Sequence, residues 1–383
     1  MDPVTFQLPT RVVYGAGAIK QIGEQASLLG IRRVLLVTDK GIVNSHLLDQ
    51  VMPYLEAAKI TTVLFDSVEA NPSLETTEAA LKLCLGEKCD GVFAVGGGSP
   101  LDVGKAVAVL ATNPGNIREY LGIGKIKKDG LPMITIPTTA GTAAEITDVS
   151  VLSDHQAHSK VTIRSPQVAP KLALMDPALT LGLPPSVTRD TGMDALTHAV
   201  ESFINVNAWP ATEALALKAI EMIGANLRTA VYNGGNLAAR DAMLSASLVA
   251  GFAFHNTRLA LVHAITTPLQ GVFELPHGVC NAIVLPNALE FMLPGAIGKC
   301  IQIAQALCEP VAGLAPRAAA ERAVAAIRQL MDDIGVPRGL GAYNVTPGPF
   351  PAIAEKAAAS FMIALSPRRA TATDIVNILQ RSL

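Results

Sequence analysis

Along the first half of the chain, short β-branched and aliphatic runs alternate with stretches whose apolar positions recur every three or four residues. Arg11–Tyr14 reads as extended, and Gly15-Ala16-Gly17 leads into a helix expected over Ala18–Leu29. Val34–Thr38 is an apolar run ending at Asp39, with a further helix expected over Ser45–Ala58. Thr61–Phe65 is a predicted strand, and Asn71-Pro72-Ser73 opens another helix. Gly91–Val95 is expected to be a strand that runs into Gly96-Gly97-Gly98, with a helix beginning near Ser99 and a strand expected over Pro132–Ile136. This alternation, with apolar strands, predicts a parallel sheet covered by helices on both faces. Three more strands are expected in a β-rich patch: Thr147–Leu152, Lys160–Ile163 and Leu172–Met175.

The pattern changes around Pro184-Pro185. Beyond it, helical periodicity is expected over Thr188–Asn205, Ala211–Tyr232, Ala238–His255, Pro316–Ile334 and Ala352–Met362. The alanine-rich stretch Ala318–Ala326 keeps apolar residues at helical spacing, so it reads as a surface helix and not as a linker. The expected organisation is an α/β domain over residues 1–183 and an all-α domain over residues 184–383.

Composition narrows the class. Half of the 383 residues are hydrophobic and only 16% are charged, which excludes a disordered chain. The formal net charge is −2, leaving no basic excess to neutralise a phosphate backbone, so no nucleic acid partner is expected. The longest stretches without Asp, Glu, Lys or Arg are Ala242–Thr257 and Gly339–Ala354, both shorter than a spanning helix needs. No membrane association is expected. The N-terminal sequence lacks the basic and apolar regions of a signal peptide. Five cysteines without framework spacing read as reduced thiols of a cytoplasmic protein.

Candidate chemistry concentrates in a few motifs. Gly96-Gly97-Gly98-Ser99-Pro100-Leu101-Asp102 sits where a strand hands over to a helix, with Ser99 as the expected N-cap and Asp102 completing a capping-box variant. Glycines there let a backbone approach a diphosphate, although the spacing is neither G-x-G-x-x-G nor a P-loop. A tight strand–helix turn explains the same glycines equally well. Asp39 would accept hydrogen bonds from ribose hydroxyls and disfavour a 2′-phosphate, or it caps the next helix. Pro137-Thr138-Thr139-Ala140-Gly141-Thr142 suits a phosphate or ribose contact, or an ordinary polar turn.

In the second half, Asp194 and His198 stand at i, i+4 on one helix face. His263 lies in a second predicted helix, and His277 in the later turn Leu275-Pro276-His277-Gly278. One carboxylate and three imidazoles suit a divalent transition ion with an open position, while each residue alone is ordinary. His155 and His158 flank a turn and read as solvent-exposed, His255 as cleft, core or cap, and Cys280 as a buried small residue.

Taken together, GGGSPLDVGKA, PTTAGT, GMDALTHAVE, LVHA and LPHGVCNAIVLP resemble the iron-containing (group III) alcohol dehydrogenase family, in the family's order and over nearly the whole chain. The resemblance implies an N-terminal dinucleotide-binding α/β domain followed by an all-α metal-binding domain, a dehydroquinate-synthase-like superfold. It implies a metal held by Asp194, His198, His263 and His277, iron(II) in most members and zinc or another divalent ion in some. It implies NAD contacts at Asp39, Asn71, Gly97, Gly98, Ser99, Thr138, Thr139 and Thr142, and also at Val151 and Lys160. The implied activity is reversible hydride transfer between a small alcohol and NAD. A homodimer or higher homo-oligomer follows from the same likeness.

Two departures from the family pattern stand out. Many members carry a second histidine four residues after His263; here Thr267 stands there, as a candidate proton relay through its hydroxyl. Ala143 and Ala144 replace a glycine and a serine. Small or apolar side chains, Phe254, Val262, Ile265 and Leu269, are expected to line the substrate site. The alternatives are a polyol dehydrogenase or maleylacetate reductase of the same superfold, a dehydroquinate-synthase-like lyase, and a non-catalytic relative. The lyase is disfavoured because Thr188–Asn205 and Leu259–Gln270 contain no lysine and only Arg189 as a basic group besides histidine.

Overall fold

The computed structural model describes residues 3–157 and 159–383, so the expectation for His158 lies outside the described residues. The described chain divides into two compact units. One holds Leu8–Leu183, and the other holds Pro184–Leu383 with the N-terminal stretch that ends at Gln7.

The first unit runs β1 (Arg11–Tyr14), α1 (Ile22–Leu28), β2 (Arg33–Val37), α2 (Lys40–Asn44), α3 (Met52–Ala57), β3 (Thr61–Phe65) and α4 (Leu74–Gly86). It continues with β4 (Gly91–Gly96), α5 (Gly98–Leu110), β5 (Gly122–Ile123), β6 (Met133–Pro137), β7 (Val149–Asp154), β8 (Ser159–Arg164) and β9 (Leu172–Met175). Six strands form one sheet in the order β1-β9-β6-β4-β2-β3, and its pairings are parallel. Alternate residues of β2 enter opposite cores. Leu35 and Val37 pack with Leu74, Val103 and Val107 of α4 and α5, whereas Val34 and Leu36 pack with Ile22, Ile42 and Leu55 of α1, α2 and α3. Burial on both faces is why these strands read as continuous apolar runs.

The order of strands positions the first candidate site. From β2 the chain steps outward to β3, then returns to the other side of β2 and builds β4, β6 and β9. The helices that follow β2 cover one face and α5, which follows β4, covers the other. A crevice therefore opens at the carboxyl ends of β2 and β4, the usual place for a ligand in such sheets.

Three local expectations change. The single helix over Ser45–Ala58 is instead α2, a 3-10 turn at Leu47–Gln50 and α3. His46 takes a left-handed conformation, with φ 57°, and Pro53 cannot donate a helical N–H, so no one helix can cross the stretch. The β-rich patch is split: β7 and β8 pair antiparallel and join β5 in a separate small sheet, while β9 lies in the main sheet between β6 and β1. The cap of α5 is Gly97 and not Ser99, which sits inside the first turn.

The second unit comprises α6 (Pro185–Ile204), α7 (Pro210–Tyr232), α8 (Leu237–Thr257), α9 (Leu261–Phe273), α10 (His277–Met292), α11 (Ile297–Ala306), α12 (Pro316–Asp333), α13 (Phe350–Ala358) and α14 (Ala372–Arg381). α6 is the central helix: it packs against α7, α8 and α10, and it is buried continuously from Gly192 to Ile204. Among the described residues α8 is the helix long and apolar enough to cross a membrane, but it packs against α6 and α7 as a core helix does. α12, which contains the alanine-rich stretch, buries Ala319, Ala320, Ala323 and Ile327 along one face.

Candidate functional site

One face of α6 carries Asp194, His198 and Glu201 at i, i+4 and i+7, all buried. His263 is the third residue of α9. His277 is the first residue of α10, so the expected turn is in fact a helix start. The approach of α10 to α6 depends on the next residue, because a Cβ built on Gly278 would lie 2.2 Å from the Asp190 carbonyl oxygen. Any side chain there would push α10, and His277 with it, away from Asp194.

One donor atom from each of Asp194, His198, His263 and His277 lies within 4.8 Å of the other three. Asp194 Oδ1 is 3.7 Å from His198 Nε2 and 3.5 Å from His277 Nε2. The His198 and His263 rings stack with centroids 4.9 Å apart, and His277 is tilted against His263 at 5.3 Å. Burial pushes the Asp194 carboxyl up, but His198, His277, His263 and the Asn281 amide together outweigh it and hold the group below its ordinary value. The carboxylate is therefore ionised in its buried position. The cluster is open on one side: the His277 side chain is 38% exposed, against 6% or less for the other three. A converging set of one carboxylate and three imidazoles, buried on three sides and open on the fourth, fits a divalent transition ion.

The surrounding side chains set how the imidazoles face inward. Glu201 Oε2 lies 2.5 Å from His263 Nδ1, and its Oε1 accepts the Val262 N–H at 2.6 Å. Gln270 faces His277 Nδ1. Asn281 Nδ2 donates to Asp194 Oδ1 at 2.7 Å and lies 3.0 and 3.1 Å from the Nε2 atoms of His263 and His277. Thr266 Oγ1 donates to Asn281 Oδ1 at 2.6 Å, which fixes which way that amide points. The Asn281 NH₂ has two N–H groups, one of them given to Asp194, so the other is shared between the Nε2 atoms of His263 and His277. Glu201, Gln270 and Asn281 were not singled out from sequence. The available signal was periodicity: Glu201 continues the Asp194–His198 face, and Asn281 stands one turn after His277.

Other expected residues are placed differently. Thr267 Oγ1 donates to the His263 carbonyl at 2.7 Å, so its proton is committed to its own helix. Val262, Ile265 and Leu269 are fully buried and belong to the core, not to a substrate wall. Phe254 is half-buried, with its ring 4.5 Å from that of His198. His255 is buried and His155 exposed. Cys280 is a buried thiol that burial pushes up to about 12, as its reading as a small core residue requires.

The α/β unit gathers the remaining candidates at the carboxyl ends of β2, β4 and β6. Asp39 caps α2 by accepting the Ile42 N–H at Oδ1. Its Oδ2 faces the glycine turn, 3.4 Å from where a Cβ on Gly96 would stand. Gly96 itself has φ 148°, a conformation suited to glycine. Gly97 and Gly98 abut Thr139 and Thr142, so a Cβ on Gly98 would meet Thr142 Cγ2 at 3.1 Å. No side chain caps α5, which leaves its first-turn N–H groups directed at the crevice beside Ser99. Thr138 Oγ1 is buried without a hydrogen-bond partner. At the edge of this region, Asn71 Oδ1 accepts from Lys160 Nζ at 2.7 Å, and the Val151 N–H is taken by Asp102 Oδ2 at 3.1 Å. Asp102 does not complete a capping box; its other oxygen pairs with Lys105 at 2.7 Å.

Comparison with known proteins agrees with this geometry. Residues 9–177 match the family model described as iron-containing alcohol dehydrogenase, and residues 188–383 match the C-terminal model of the same family. The 1,3-propanediol dehydrogenase of Klebsiella pneumoniae is 40% identical over 379 residues, 98% of each chain. The NAD-dependent methanol dehydrogenase of Bacillus methanolicus is 34% identical over 99% of each chain. A crystal structure of a 1,3-propanediol oxidoreductase superimposes with a TM-score of 0.96 at 39% identity, covering 100% of both chains.

Proposed function

The chain belongs to the iron-containing alcohol dehydrogenase family, and from that premise we propose that it exchanges hydride between a short alcohol and NAD, with the helical unit as its metal-binding, catalytic domain and the α/β unit as its NAD-binding domain. It is an oxidoreductase of the alcohol dehydrogenase class. The observation that carries the finer reading is the convergence of Asp194, His198, His263 and His277 on one point.

The four side chains would hold iron(II), or zinc in its place, and a divalent ion there supplies Lewis-acid polarisation of the alcohol or carbonyl oxygen. The chain's own residues prepare for it. Ionised Asp194 gives the site one negative charge, and the Asn281 amide faces the Nε2 atoms of His263 and His277. The exposed edge at His277 gives a substrate its way in, and the Phe254 ring beside His198 offers an apolar wall. Such a wall suits an uncharged carbon chain, in keeping with the propanediol and methanol names of two relatives. Thr267 would relay a proton only by releasing its own from the His263 carbonyl, and as it stands its hydroxyl can accept a hydrogen bond.

In the α/β unit, the uncapped start of α5 and the Gly97–Gly98 surface suit the NAD diphosphate. Asp39 Oδ1 caps α2, which leaves Oδ2 available for ribose hydroxyls. Its charge favours NAD over NADP. Thr138, Thr139 and Thr142 border the same crevice, with Asn71, Val151 and Lys160 at its rim. The five cysteines are unpaired, which suits the reducing cytoplasm.

The test is anaerobic NADH oxidation with a panel of short aldehydes, followed by absorbance, on metal-stripped protein and again after adding iron(II) or zinc. Turnover that appears only with metal is expected. Turnover at full rate in the stripped protein would exclude the metal reading, and NADH binding without turnover under any condition would exclude a short aldehyde as substrate.

A further inference from the structure

Beyond the four converging side chains, one buried acid is in direct contact with one of them. Glu201 is fully buried in the last turn of α6. A carboxylate with no exposure is costly unless its oxygens are fully engaged. Here each oxygen has a partner, and both partners lie on α9: Oε1 takes the Val262 N–H at 2.6 Å, and Oε2 meets His263 Nδ1 at 2.5 Å. Val262 is the second residue of α9, whose N-cap Ala260 offers no side-chain acceptor. The carboxylate thus caps one helix from another, and at the same step grips the imidazole one residue further along.

We propose that Glu201 is a positioning residue of the metal centre, acting through His263 by fixing its Nδ1–H tautomer and ring orientation so that Nε2 faces the other three donors. This rests on the metal reading above. The chemistry is specific to a carboxylate. An ionised acid can only accept, so His263 must donate from Nδ1 and leave its lone pair at Nε2. Glutamine in the same place cannot serve both partners. If its oxygen accepts from His263, its NH₂ faces the Val262 N–H, donor against donor; if it turns over, its NH₂ faces Nδ1 and forces the proton onto Nε2. His277 is held differently, since its partner Gln270 is a neutral amide that can face Nδ1 with either end. The negative charge beside His263 also makes that imidazole the stronger electron donor of the two.

The experiment measures zinc affinity of the full chain by competition with a chromogenic chelator, for the wild type, Glu201→Gln, His263→Ala and the double variant. Glu201→Gln is expected to weaken zinc binding by about 10–100-fold. In the His263→Ala background the same change should add less than about a further twofold, because the residue through which Glu201 acts is gone. A Glu201→Gln protein that binds zinc as the wild type does would overturn the proposal. So would a full additional loss in the double variant, which would mark Glu201 as a general support of the fold. Wild-type protein that binds no zinc would instead overturn the metal reading, and this inference with it. Should Glu201→Gln fail to fold, the zinc-loaded wild type still decides. The His263 Nδ1 proton, shared with a carboxylate, should resonate well downfield of that of His277, and coincident resonances would refute the short charge-assisted contact.

Discussion

Glu145 lies just past the PTTAGT loop with 2% exposure, and its Oε1 has no hydrogen-bond partner. Burial pushes its carboxyl up from 4.5 to about 7; its own backbone amide and the Lys105 ammonium pull the other way without prevailing. The sign of the consequence follows from linkage. Between the unfolded value of 4.5 and the folded value of about 7, the folded chain holds a proton that the unfolded chain has released. Folding is therefore favoured by the neutral acid at low pH, and that advantage is lost as pH rises through this window. Glu145→Gln removes the ionisation while keeping the shape. Its stability relative to the wild type should improve by on the order of 2–3 kcal/mol between pH 4.5 and 8, read from urea denaturation at each pH. A difference that stays flat across that range would mean the carboxylate is compensated. The same residue shows what sequence cannot give. Nothing in PTTAGTAAE distinguishes a surface glutamate from one enclosed by tertiary packing, and Glu201 was hidden for the same reason. Asp194 and His198 were legible because a helix fixes their common face locally. The convergence of His263 and His277 on them is a long-range fact, which the residue types suggested and the family's motif order implied.

The α5 helix shows how one buried cation can hold an element in place. Lys105 has no exposed surface. Its Nζ donates to the carbonyls of Ala144, at 2.9 Å, and of Val149, at 2.5 Å, lies 3.2 Å from Thr147 Oγ1, and pairs with Asp102. The lysine thus ties the helix behind the glycine turn to the end of the threonine loop and to β7. Burial pushes the Asp102 carboxyl up, and Lys105 is the main influence opposing it. Lys105→Met keeps most of the stem but leaves a buried carboxylate without its cation. The expected loss is about 3–5 kcal/mol in urea denaturation, with weaker NAD binding in the folded fraction. A loss under about 1 kcal/mol would show that water or a rearranged loop replaces the ammonium. Sequence read this stretch as a strand, a glycine turn and a helix, which is correct at the scale of the element. It misassigned the cap to Ser99 because the residue type is favourable, whereas the turn places Gly97 at that position. The helix expected over Ser45–Ala58 failed for a related reason: apolar spacing continued through a stretch whose backbone breaks at His46 and becomes α-helical again at Met52.

The chain as a whole crosses between its two units twice, after Gln7 and after Leu183. The N-terminal stretch belongs with the helices: the Gln7 N–H donates to Asn256 Oδ1 at 2.7 Å, and the Phe6 ring meets Trp209 edge-on at 6.0 Å. The α/β unit is thus inserted between two pieces of the helical one. The change of hydrophobic pattern at Pro184 made the second crossing readable, but the first falls in seven residues too few to carry a period. Each candidate site is built within a single unit. The four converging side chains come from α6, α9 and α10, whereas Asp39, the glycine turn and the threonine loop follow β2, β4 and β6. A metal ion should therefore stabilise the helical unit, and NAD the α/β unit, each by its own mass-action term. At a free concentration near 100 times the dissociation constant, that term is about 2.7 kcal/mol. For a unit of roughly 200 residues it corresponds to a shift of about 5–10 °C. Calorimetry with and without zinc, crossed with and without NAD, should resolve two transitions, one moved by each ligand and each indifferent to the other. If a single transition responds to both ligands, the two units unfold as one cooperative body.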